Sequence, residues 1–523
     1  MPISPTYPGV YIEEIPSGVR AIRGVATSIT AFVGRALRGP LDDPITLNGF
    51  ADFERVFGGL WVDSTLGYAV RAFFDNGGGQ AIVVRVANGA TAAKLVRGAA
   101  SLVAASEGTW GNQLRLRVTT DVTDEAAARY GLPKADLFNL QVRDGGTGRI
   151  ERHLNVTFKD HPRRLDRVLA NGSDLVRYAG PALTGAEAVP TAHSDPAAGK
   201  TVWEDDNASS KVENADKGVD GGAISQPQFT GDEANKKGLY ALEKADLFNL
   251  LVLPPYKQET DGLDVEDDLW SKAAAYCQKR RAFLLVDPKS AWNTKEKAKT
   301  GVDTLPKSNF AALYFPRLVQ ANPLRQNQLE EFAPSGVVAG ICARTDAERG
   351  VWKAPAGLQA TLNGVSGLSV SLTDPENGEL NPKGVNCLRF FPGAGRVVWG
   401  ARTLRGDDSL ADDYKYVPVR RTALFLEESL YRGLKWVVFE PNDEPLWAQI
   451  RLSVGAFLQG LFRQGAFQGR SPREAYFVKC DRETTTQADI DLGIVNIVVG
   501  FAPLKPAEFV IVKLQQMAGQ TEA

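Results

Sequence analysis

Few side chains in this sequence have the type and spacing that catalysis or metal binding requires. The cysteines lie tens of residues apart, which excludes the local C-x-x-C spacing of redox and zinc motifs and predicts buried free thiols. They are Cys277, Cys342, Cys387 and Cys480. The three histidines, His153, His161 and His193, all lie in one region. A hydrolase that uses histidine as its base would need its active site there.

The glycine-rich and acidic stretches do not form a recognisable nucleotide or metal motif. The sequence has no G-x-x-x-x-G-K-[ST] phosphate loop and no G-x-S-x-G nucleophile turn. GAGRVV, at residues 393–398, lacks the third glycine of a dinucleotide turn and is interpreted as a plain loop. The acidic run DGLDVEDD at 261–268 is typical of a solvated helix start. We therefore predict no catalytic residue, no metal ligand and no cofactor.

Length and charge narrow the class of protein further. A chain of 523 residues predicts two to four domains. The net charge of -2 lacks the basic excess of a nucleic-acid-binding protein. No run of 18 apolar residues would span a membrane, and the N-terminus lacks the pattern of a secretory signal. We expect a protein that folds in the cytoplasm and binds neither nucleic acid nor membrane directly.

The first part of the chain, residues 21–90, has the pattern of a compact unit. A strand is predicted over Thr27–Leu37 and a helix over Asn48–Phe57, and Ser64 is the expected N-cap of a second helix. The nearly continuous apolar run Gln80–Val86 predicts a strand that is buried on both faces.

The middle of the chain combines a β-rich stretch with an α/β stretch. Residues 91–238 carry alternating strands, and their polar part, 194–238, has too few large apolar residues to bury much of a core. Residues 239–405 place a helix over Asp268–Arg281 between two apolar strands. This rhythm predicts a parallel βαβ crossover.

The last part, residues 406–506, contains the longest amphipathic helix. It is predicted over Glu444–Gln464, with an apolar row that we interpret as core. A helix over Thr422–Lys435 and a strand over Trp436–Phe439 precede it. Strands within Arg473–Cys480 and Gly493–Leu504 follow.

Both ends of the chain carry apolar strands that have no adjacent partner. One is Val10–Ile15, between Pro-Gly and Pro-Ser-Gly turns, and the other lies within Ala507–Gln516. An unpaired apolar strand is an aggregation hazard unless it is used. Either such a strand pairs inside its own sheet, or it is donated to the sheet edge of another subunit. The residues alone leave both alternatives open.

Long stretches of the sequence resemble contractile tail sheath proteins. The resemblance is to sheaths of phage tails and of phage-tail-like extracellular injection systems of the antifeeding-prophage type. It covers residues 1–120 and 240–515 and is poor between about 150 and 238. The matching stretches are YPGVYIEEIPSGVRAIRGVATSITAFVGRALRGP, GFADFERVFGG, YAVRAFFDNGGGQAIVVRV, GTWGNQLRLRV and YVPVRRTALFLEESLYRGLKWVVFEPNDEPLWAQIRLSVGAFLQGLFRQGAFQG.

The resemblance implies an α/β and α+β multidomain fold. The sheath core is expected from the N- and C-terminal regions, with 91–238 as a β-rich inserted outer domain. Residues 239–405 would form an α/β sheath domain and 406–506 a domain that faces an inner tube. Residues 1–20 would be an N-terminal arm and residues 507–523 a C-terminal arm.

The resemblance also implies how subunits are joined. The arms would donate strands to neighbouring subunits, and Ser17 and Gly18, together with Ala502–Pro506, would be hinges. The N-terminal donor would consist of Val10, Tyr11, Ile12, Glu13, Glu14 and Ile15. The C-terminal donor would consist of Phe509, Val510, Ile511, Val512, Lys513 and Leu514. The receiving strand would consist of Ile494, Val495, Asn496, Ile497, Val498 and Val499.

The implied function is mechanical and not enzymatic. Subunits would form stacked hexameric rings around an inner tube protein and contract, meeting baseplate and terminator or cap proteins and paralogous sheath subunits. Assembly is expected in the bacterial cytoplasm, within a phage tail or a released particle. We expect exposed Arg451, Arg463 and Arg470 to meet an acidic tube surface. The alternatives are an α/β-domain enzyme of hydrolase type and a monomeric surface-binding module.

Overall fold

The computed structural model of the protein describes residues 20–256 and 264–514. The predicted donor strand Val10–Ile15 and the predicted hinge residues Ser17 and Gly18 lie outside the described residues. The strands are β1 (Thr30–Gly34), β2 (Ile45–Leu47), β3 (Ala81–Arg85), β4 (Lys94–Arg97), β5 (Ala100–Ala104), β6 (Leu114–Thr119), β7 (Phe138–Asp144), β8 (Ile150–Val156), β9 (Val176–Tyr178), β10 (Ser210–Lys211), β11 (Leu250–Val252), β12 (Phe283–Val286), β13 (Ala311–Phe315), β14 (Leu318–Asn322), β15 (Gln328–Phe332), β16 (Gly367–Leu368), β17 (Val385–Phe391), β18 (Gly395–Val398), β19 (Tyr476–Lys479) and β20 (Val498–Phe501). The helices are α1 (Phe50–Phe57), α2 (Leu66–Asp75), α3 (Asp124–Tyr130), α4 (Leu165–Gly172), α5 (Gln226–Thr230), α6 (Asp267–Lys279), α7 (Lys295–Gly301), α8 (Ser335–Arg349), α9 (Asp374–Leu380), α10 (Val417–Gly433), α11 (Glu444–Arg463), α12 (Pro472–Ala475) and α13 (Gln487–Asp491).

An eight-stranded, mostly parallel sheet organises the largest part of the chain. Its strand order is β18-β17-β13-β12-β11-β1-β3-β2, and only the outer pairs β17–β18 and β2–β3 are antiparallel. Every residue of β1 and β3 is buried, as expected for strands covered on both faces. The predicted βαβ crossover is confirmed, because β11 and β12 are parallel neighbours joined by α6. We call this sheet and its helices the α/β domain.

Helices cover both faces of this sheet. Side chains of α6, α7 and α9 pack on one face, and those of α1, α2, α8 and α10 pack on the other. The inward residues predicted for α6 are buried, and so are all four cysteines, which are free thiols. Strands from residues 21–90 and from 239–405 thus build one core.

Helices α2 and α8 approach each other closely through glycine. A Cβ added at Gly340 would lie 2.5 Å from the carbonyl oxygen of Phe73, and one added at Gly336 would lie 2.4 Å from that of Ala69. Both obstacles are backbone atoms, which do not rotate out of the way. Glycine is therefore required for the helices to pack at this distance.

A buried ion pair joins α8 to α10 and to the start of β1. The guanidinium of Arg421 donates to both carboxylate oxygens of Asp346, at 3.0 and 2.6 Å, and also to the carbonyl of Thr27. Both charged side chains are at most 4% exposed. The pair links the N-terminal and C-terminal parts of the sequence inside one domain.

Residues between β3 and β11 form two small antiparallel sheets with a core of their own. The strand orders are β10-β6-β7-β8 and β4-β5-β9. Most of the polar stretch 194–238 lacks regular structure, as predicted. It nevertheless buries Val212, Ile224 and Phe229, more than the sequence suggested, because these side chains pack into the cores of neighbouring regions.

The end of the chain folds as a smaller unit around α11, which we call the C-terminal unit. It comprises α11, α12, α13, β19 and β20, and its core includes the predicted apolar row of α11. The predicted strand Trp436–Phe439 is wrong. Residues Lys435–Val437 form a 3-10 turn instead, and Phe439 is fully exposed in a left-handed conformation.

Two other local predictions are corrected. The GAGRVV stretch is not a plain loop, because Gly395–Val398 pairs with β17 as an edge strand. The second helix begins at Leu66, with Thr65 at the N-cap position. Ser64 lies one residue earlier, where its hydroxyl accepts from the Leu66 N–H and donates to the Arg35 carbonyl.

The first described residues run across the C-terminal unit before they enter β1. Ile22 is buried in the core of that unit and lies against Gly433. The guanidinium of Arg20 lies 4.5 Å from the ring centre of Trp436. The first described residues, from Arg20 to Ile22, therefore lie beside the C-terminal unit.

Candidate strand-exchange site

The C-terminal unit contains a sheet of only two strands. β19 and β20 pair antiparallel, with Tyr476 opposite Phe501 and Lys479 opposite Val498. Within residues 20–256 and 264–514, neither strand has a second strand neighbour. Just beyond β20, Phe467 bridges Pro503, which closes that end of the sheet. Two four-residue edges thus leave backbone donors and acceptors free to pair.

The two faces of this small sheet differ in chemistry. On the inner face, Tyr476 and Val478 pack against the core, and the Tyr476 hydroxyl donates to Gln459 of α11 at 2.7 Å. On the outer face, the ring of Phe477 is half exposed and covers Gly500, where an added Cβ would lie 2.1 Å from it. An isolated two-stranded sheet is marginal in water, and here α11 supports one face.

The predicted receiving strand is only partly a strand. Val498 and Val499 belong to β20, whereas Ile494, Val495, Asn496 and Ile497 lie outside any strand. The N–H of Asn496 donates to Thr485 instead of to a strand neighbour. Side chains nevertheless alternate between inward and outward positions through this stretch, because Val495 and Ile497 pack toward the core while Ile494 is exposed.

The predicted C-terminal donor is solvent-exposed and apolar. Residues Phe509 to Leu514 have no assigned secondary structure, and their five large apolar side chains are between 74% and 94% exposed. We call these six residues the apolar arm segment. A run of this kind on an isolated chain marks an interaction surface or an aggregation hazard.

An ion pair immediately precedes the apolar arm segment. Both Nε and Nη2 of Arg402 donate to the Glu508 carboxylate at 2.7 Å, and the Tyr416 hydroxyl donates to it at 3.1 Å. Burial alone would raise the pKa of Glu508, but hydrogen bonds and the charge of Arg402 outweigh it and hold the pKa below its ordinary value. The contact between Arg402 and Glu508 could not be predicted from the sequence, because the two residues are far apart in the chain and neither belongs to a motif.

The three arginines predicted to face a tube lie in different environments. Arg463 and Arg470 are exposed, near the end of α11 and in the loop that follows. Arg451 is not the exposed residue that was predicted: it is half buried, pairs with Glu444 at 2.6 Å and donates to the Cys480 carbonyl. Much of its hydrogen-bonding capacity is therefore used within the C-terminal unit.

The described residues contain neither a metal-binding cluster nor a membrane-spanning helix. No group of three or more histidine, cysteine, aspartate or glutamate side chains in this part of the chain is placed to hold a metal ion. None of its helices has the length and apolar character needed to cross a bilayer.

Family models match most of the second half of the chain. The phage tail sheath protein central domain matches residues 229–404, and the phage tail sheath C-terminal domain matches residues 410–517. Together they cover more than half of the sequence, including the two-stranded sheet and the apolar arm segment.

Two phage tail sheath proteins are similar in sequence over part of their length. The tail sheath protein of Vibrio phage KVP40 is 28% identical over 202 residues, which is 38% of this chain and 28% of that protein. The tail sheath protein of Enterobacteria phage T4 is 26% identical over 208 residues, which is 39% of this chain and 30% of that protein. The matched region thus spans less than a third of each relative.

Solved structures match over nearly the whole chain. The anti-feeding prophage helical sheath in its contracted state is 25% identical, with a TM-score of 0.55, and the match covers 98% of this chain and 100% of that chain. The PVC sheath complex in its contracted state is 23% identical, with a TM-score of 0.58, and the match covers 98% of both chains.

The fold is therefore that of the sheath subunits of contractile systems. The chain belongs to the phage tail sheath protein family, which consists of structural proteins. The predicted α/β and α+β multidomain fold and the predicted family are confirmed.

Proposed function

We propose that this chain is a sheath subunit that polymerises as stacked hexameric rings around an inner tube. Contraction of the stack drives the tube through a target cell envelope, and neighbouring subunits stay linked by strands donated from both arms. The particle is a phage tail or a released contractile machine that is assembled in the bacterial cytoplasm. Family membership and the likeness to contracted-state sheath structures support the proposal.

One observation carries the strand-exchange part of the proposal. Among the described residues no further strand pairs with the two-stranded sheet, and the same chain carries an exposed apolar segment of strand-forming residues. A four-residue edge offers roughly four ladder hydrogen bonds, each worth about 0.5–1.5 kcal/mol. Alternating side chains of the donated strand would add burial of one apolar face. The unpaired backbone groups of the sheet edge on one copy would then hydrogen-bond to those of the arm donated by another copy.

The route of the chain favours donation over pairing with its own sheet. Return of the apolar arm segment to β20 would need a reversal of the chain after Phe501. No turn or bend is assigned between Ala502 and Leu514, and Glu508 is held on the α/β domain by Arg402. The segment is thus directed away from the sheet that precedes it.

The contraction step is proposed to bend the linkers while the donated strands stay paired. The hinges would be Ser17 and Gly18 in the N-terminal arm and Ala502–Pro506 before the C-terminal one. The extended sheath would be metastable, and contraction would reach a lower-energy packing of the same subunits. Baseplate proteins, terminator or cap proteins and paralogous sheath subunits would complete the particle at its ends.

The tube-facing surface is proposed to include Arg463 and Arg470, which are exposed. Arg451 contributes less in this proposal, because Glu444 already neutralises its charge. Charge reversal at Arg463 and Arg470 should weaken association with an acidic tube, as measured by co-sedimentation with purified tubes. Reversal of Arg129, an exposed arginine of α3 outside the C-terminal unit, serves as the control. Unchanged co-sedimentation of the double arginine variant would remove these residues from the tube contact.

Removal of residues 1–16 tests the exchange mechanism at the other end of the chain. The truncated protein should stay folded and monomeric, because the hydrophobic cores described above are packed from side chains between Ile22 and Phe501. It should fail to build contractile tubes when expressed with the other components, as seen by electron microscopy. Normal contractile tubes from this truncation would refute exchange through the N-terminal arm.

A further inference from the structure

The C-terminal arm crosses from one domain to another before it becomes free. Residues 502–508, which we call the strap, begin at the C-terminal unit, where the Ala502 N–H donates to the Ala475 carbonyl at 2.8 Å. They end on the α/β domain, where Glu508 meets Arg402. Beyond Glu508 every described residue is exposed.

The Arg402 side chain is placed to receive a carboxylate from outside the domain. It is 1% exposed, and its contacts lie just after α9 and in the loop that precedes α10. Nη1 of Arg402 donates to Asp408 at 2.9 Å and to the carbonyls of Asn381 and Gly406. Nε and Nη2 are left for Glu508, which they hold in a two-point contact that fixes orientation as well as position.

Five of the seven strap residues are partly buried, but none of them belongs to a hydrophobic cluster of the described residues. The strap borders a cavity of about 680 Å³, which is also lined by Trp352, Trp399 and Tyr416 of the α/β domain and by Gln464 of the C-terminal unit. A segment that crosses a cavity buries less apolar surface than one that lies on a packed core. The ion pair at Glu508 is consequently the main attachment of the far end of the strap.

We propose that Arg402 and Glu508 form a clamp that sets the start of the free C-terminal arm at Phe509. In an assembled sheath, tension on a donated arm then passes into the α/β domain through Arg402, and not into the two-stranded sheet. The transfer of tension rests on the proposed strand exchange, whereas the position of the clamp concerns the isolated chain. The candidate hinge Ala502–Pro506 is consequently part of a segment that is held at both ends.

The neighbouring carboxylate makes the clamp testable without unfolding the domain. Loss of Glu508 leaves Arg402 with Asp408 and two backbone carbonyls, so the buried guanidinium keeps partners. The Glu508→Ala variant should therefore release the strap and keep the fold. The Asp408→Ala variant is the matched control, because it removes a carboxylate from the same arginine and leaves the strap attached.

Limited thermolysin digestion of the unassembled full-length chain, read by intact mass, measures where the arm becomes free. In the wild type, cleavage near the C-terminus should begin no earlier than the apolar arm segment. In Glu508→Ala, cleavage before Leu504 should rise about tenfold or more, the change expected when charged hydrogen bonds are lost. Asp408→Ala should cleave like the wild type. Equal cleavage at Leu504 in all three proteins, or a rise in both variants, would overturn the clamp.

The assembled particle tests the transfer of tension separately. Sheaths of Glu508→Ala should form, because the donor and receiving residues are intact, and should fragment more often than wild type after contraction, as counted in negative-stain images. Contraction without added fragmentation, in a variant whose strap is shown to be released, would overturn the transfer of tension through Arg402. The digestion result does not depend on strand exchange, so failure of the clamp and failure of the proposed function are distinguishable.

Discussion

Polar substitution of the apolar arm segment separates assembly from folding. One variant changes Val510, Val512 and Leu514 to serine, and a second changes Phe509 and Ile511, because alternate residues of a strand point to opposite faces. In the isolated chain, Val510, Val512 and Leu514 are largely exposed. The area that the three bury in total equals about half of one side chain. The free energy of unfolding should therefore fall by only about 1 kcal/mol.

In an assembly the same substitutions should have a much larger effect. Full burial of one such side chain contributes about 1.5–3 kcal/mol, so three on the inward face contribute about 4–9 kcal/mol to each contact. This loss corresponds to a decrease of at least about a thousandfold in the association constant. Assembly is read by sedimentation and electron microscopy, and stability by thermal unfolding.

The two face variants and one polar control define the outcome. At least one face variant should stay folded and fail to form sheaths, whereas Lys513→Ser, in the same segment, should assemble like the wild type. If both face variants assemble normally, the segment is not a donated strand. If a face variant unfolds the isolated chain, the exposed position of these residues is wrong.

Three further predictions concern the fold and the clamp. Arg421→Ala should lower the free energy of unfolding by about 3–5 kcal/mol in a urea titration, because it leaves Asp346 buried without its partner; a loss below about 1 kcal/mol would contradict a buried pair. Gly340→Ala should cost about 1–3 kcal/mol, because the added carbon meets the carbonyl of Phe73, while Gly378→Ala, where nothing lies nearby, should not destabilise the protein. The pKa of Glu508 in the folded protein is below its ordinary value, so its contact with Arg402 contributes stability above the ordinary glutamate pKa and loses it as the pH falls through the folded pKa. Thermolysin is unsuitable at acid pH, so an acid protease is used. Strap cleavage should rise below about pH 4.5 in the wild type and should not rise in Glu508→Ala.

Local periodicity was enough to predict much of the secondary structure. The α6 helix and its flanking strands follow from a 3.6-residue pattern between two continuous apolar runs. The α11 helix follows from its apolar row in the same way. The strand prediction for Trp436–Phe439 was wrong, because it rested on residue types that favour strands. Propensity alone does not show that these residues lack a partner strand and form a surface turn instead.

Contacts between distant residues were not accessible from periodicity. The strand order of the large sheet brings β1 beside β11, although more than two hundred residues separate them. The Arg402–Glu508 contact likewise depends on where the end of the chain returns to the α/β domain. The apolar pattern indicated that the terminal strand needs a partner, whereas only the fold showed that β19 and β20 have no further strand neighbour among the described residues.

A reconstruction of the assembled sheath by electron cryomicroscopy would show directly whether strands are exchanged between subunits. We expect the backbone of Phe509–Leu514 to form a ladder with an edge of the β19–β20 sheet of a neighbouring subunit, and Tyr11 likewise to lie on another copy. A reconstruction in which Tyr11 and Ile511 contact only their own molecule would contradict this exchange.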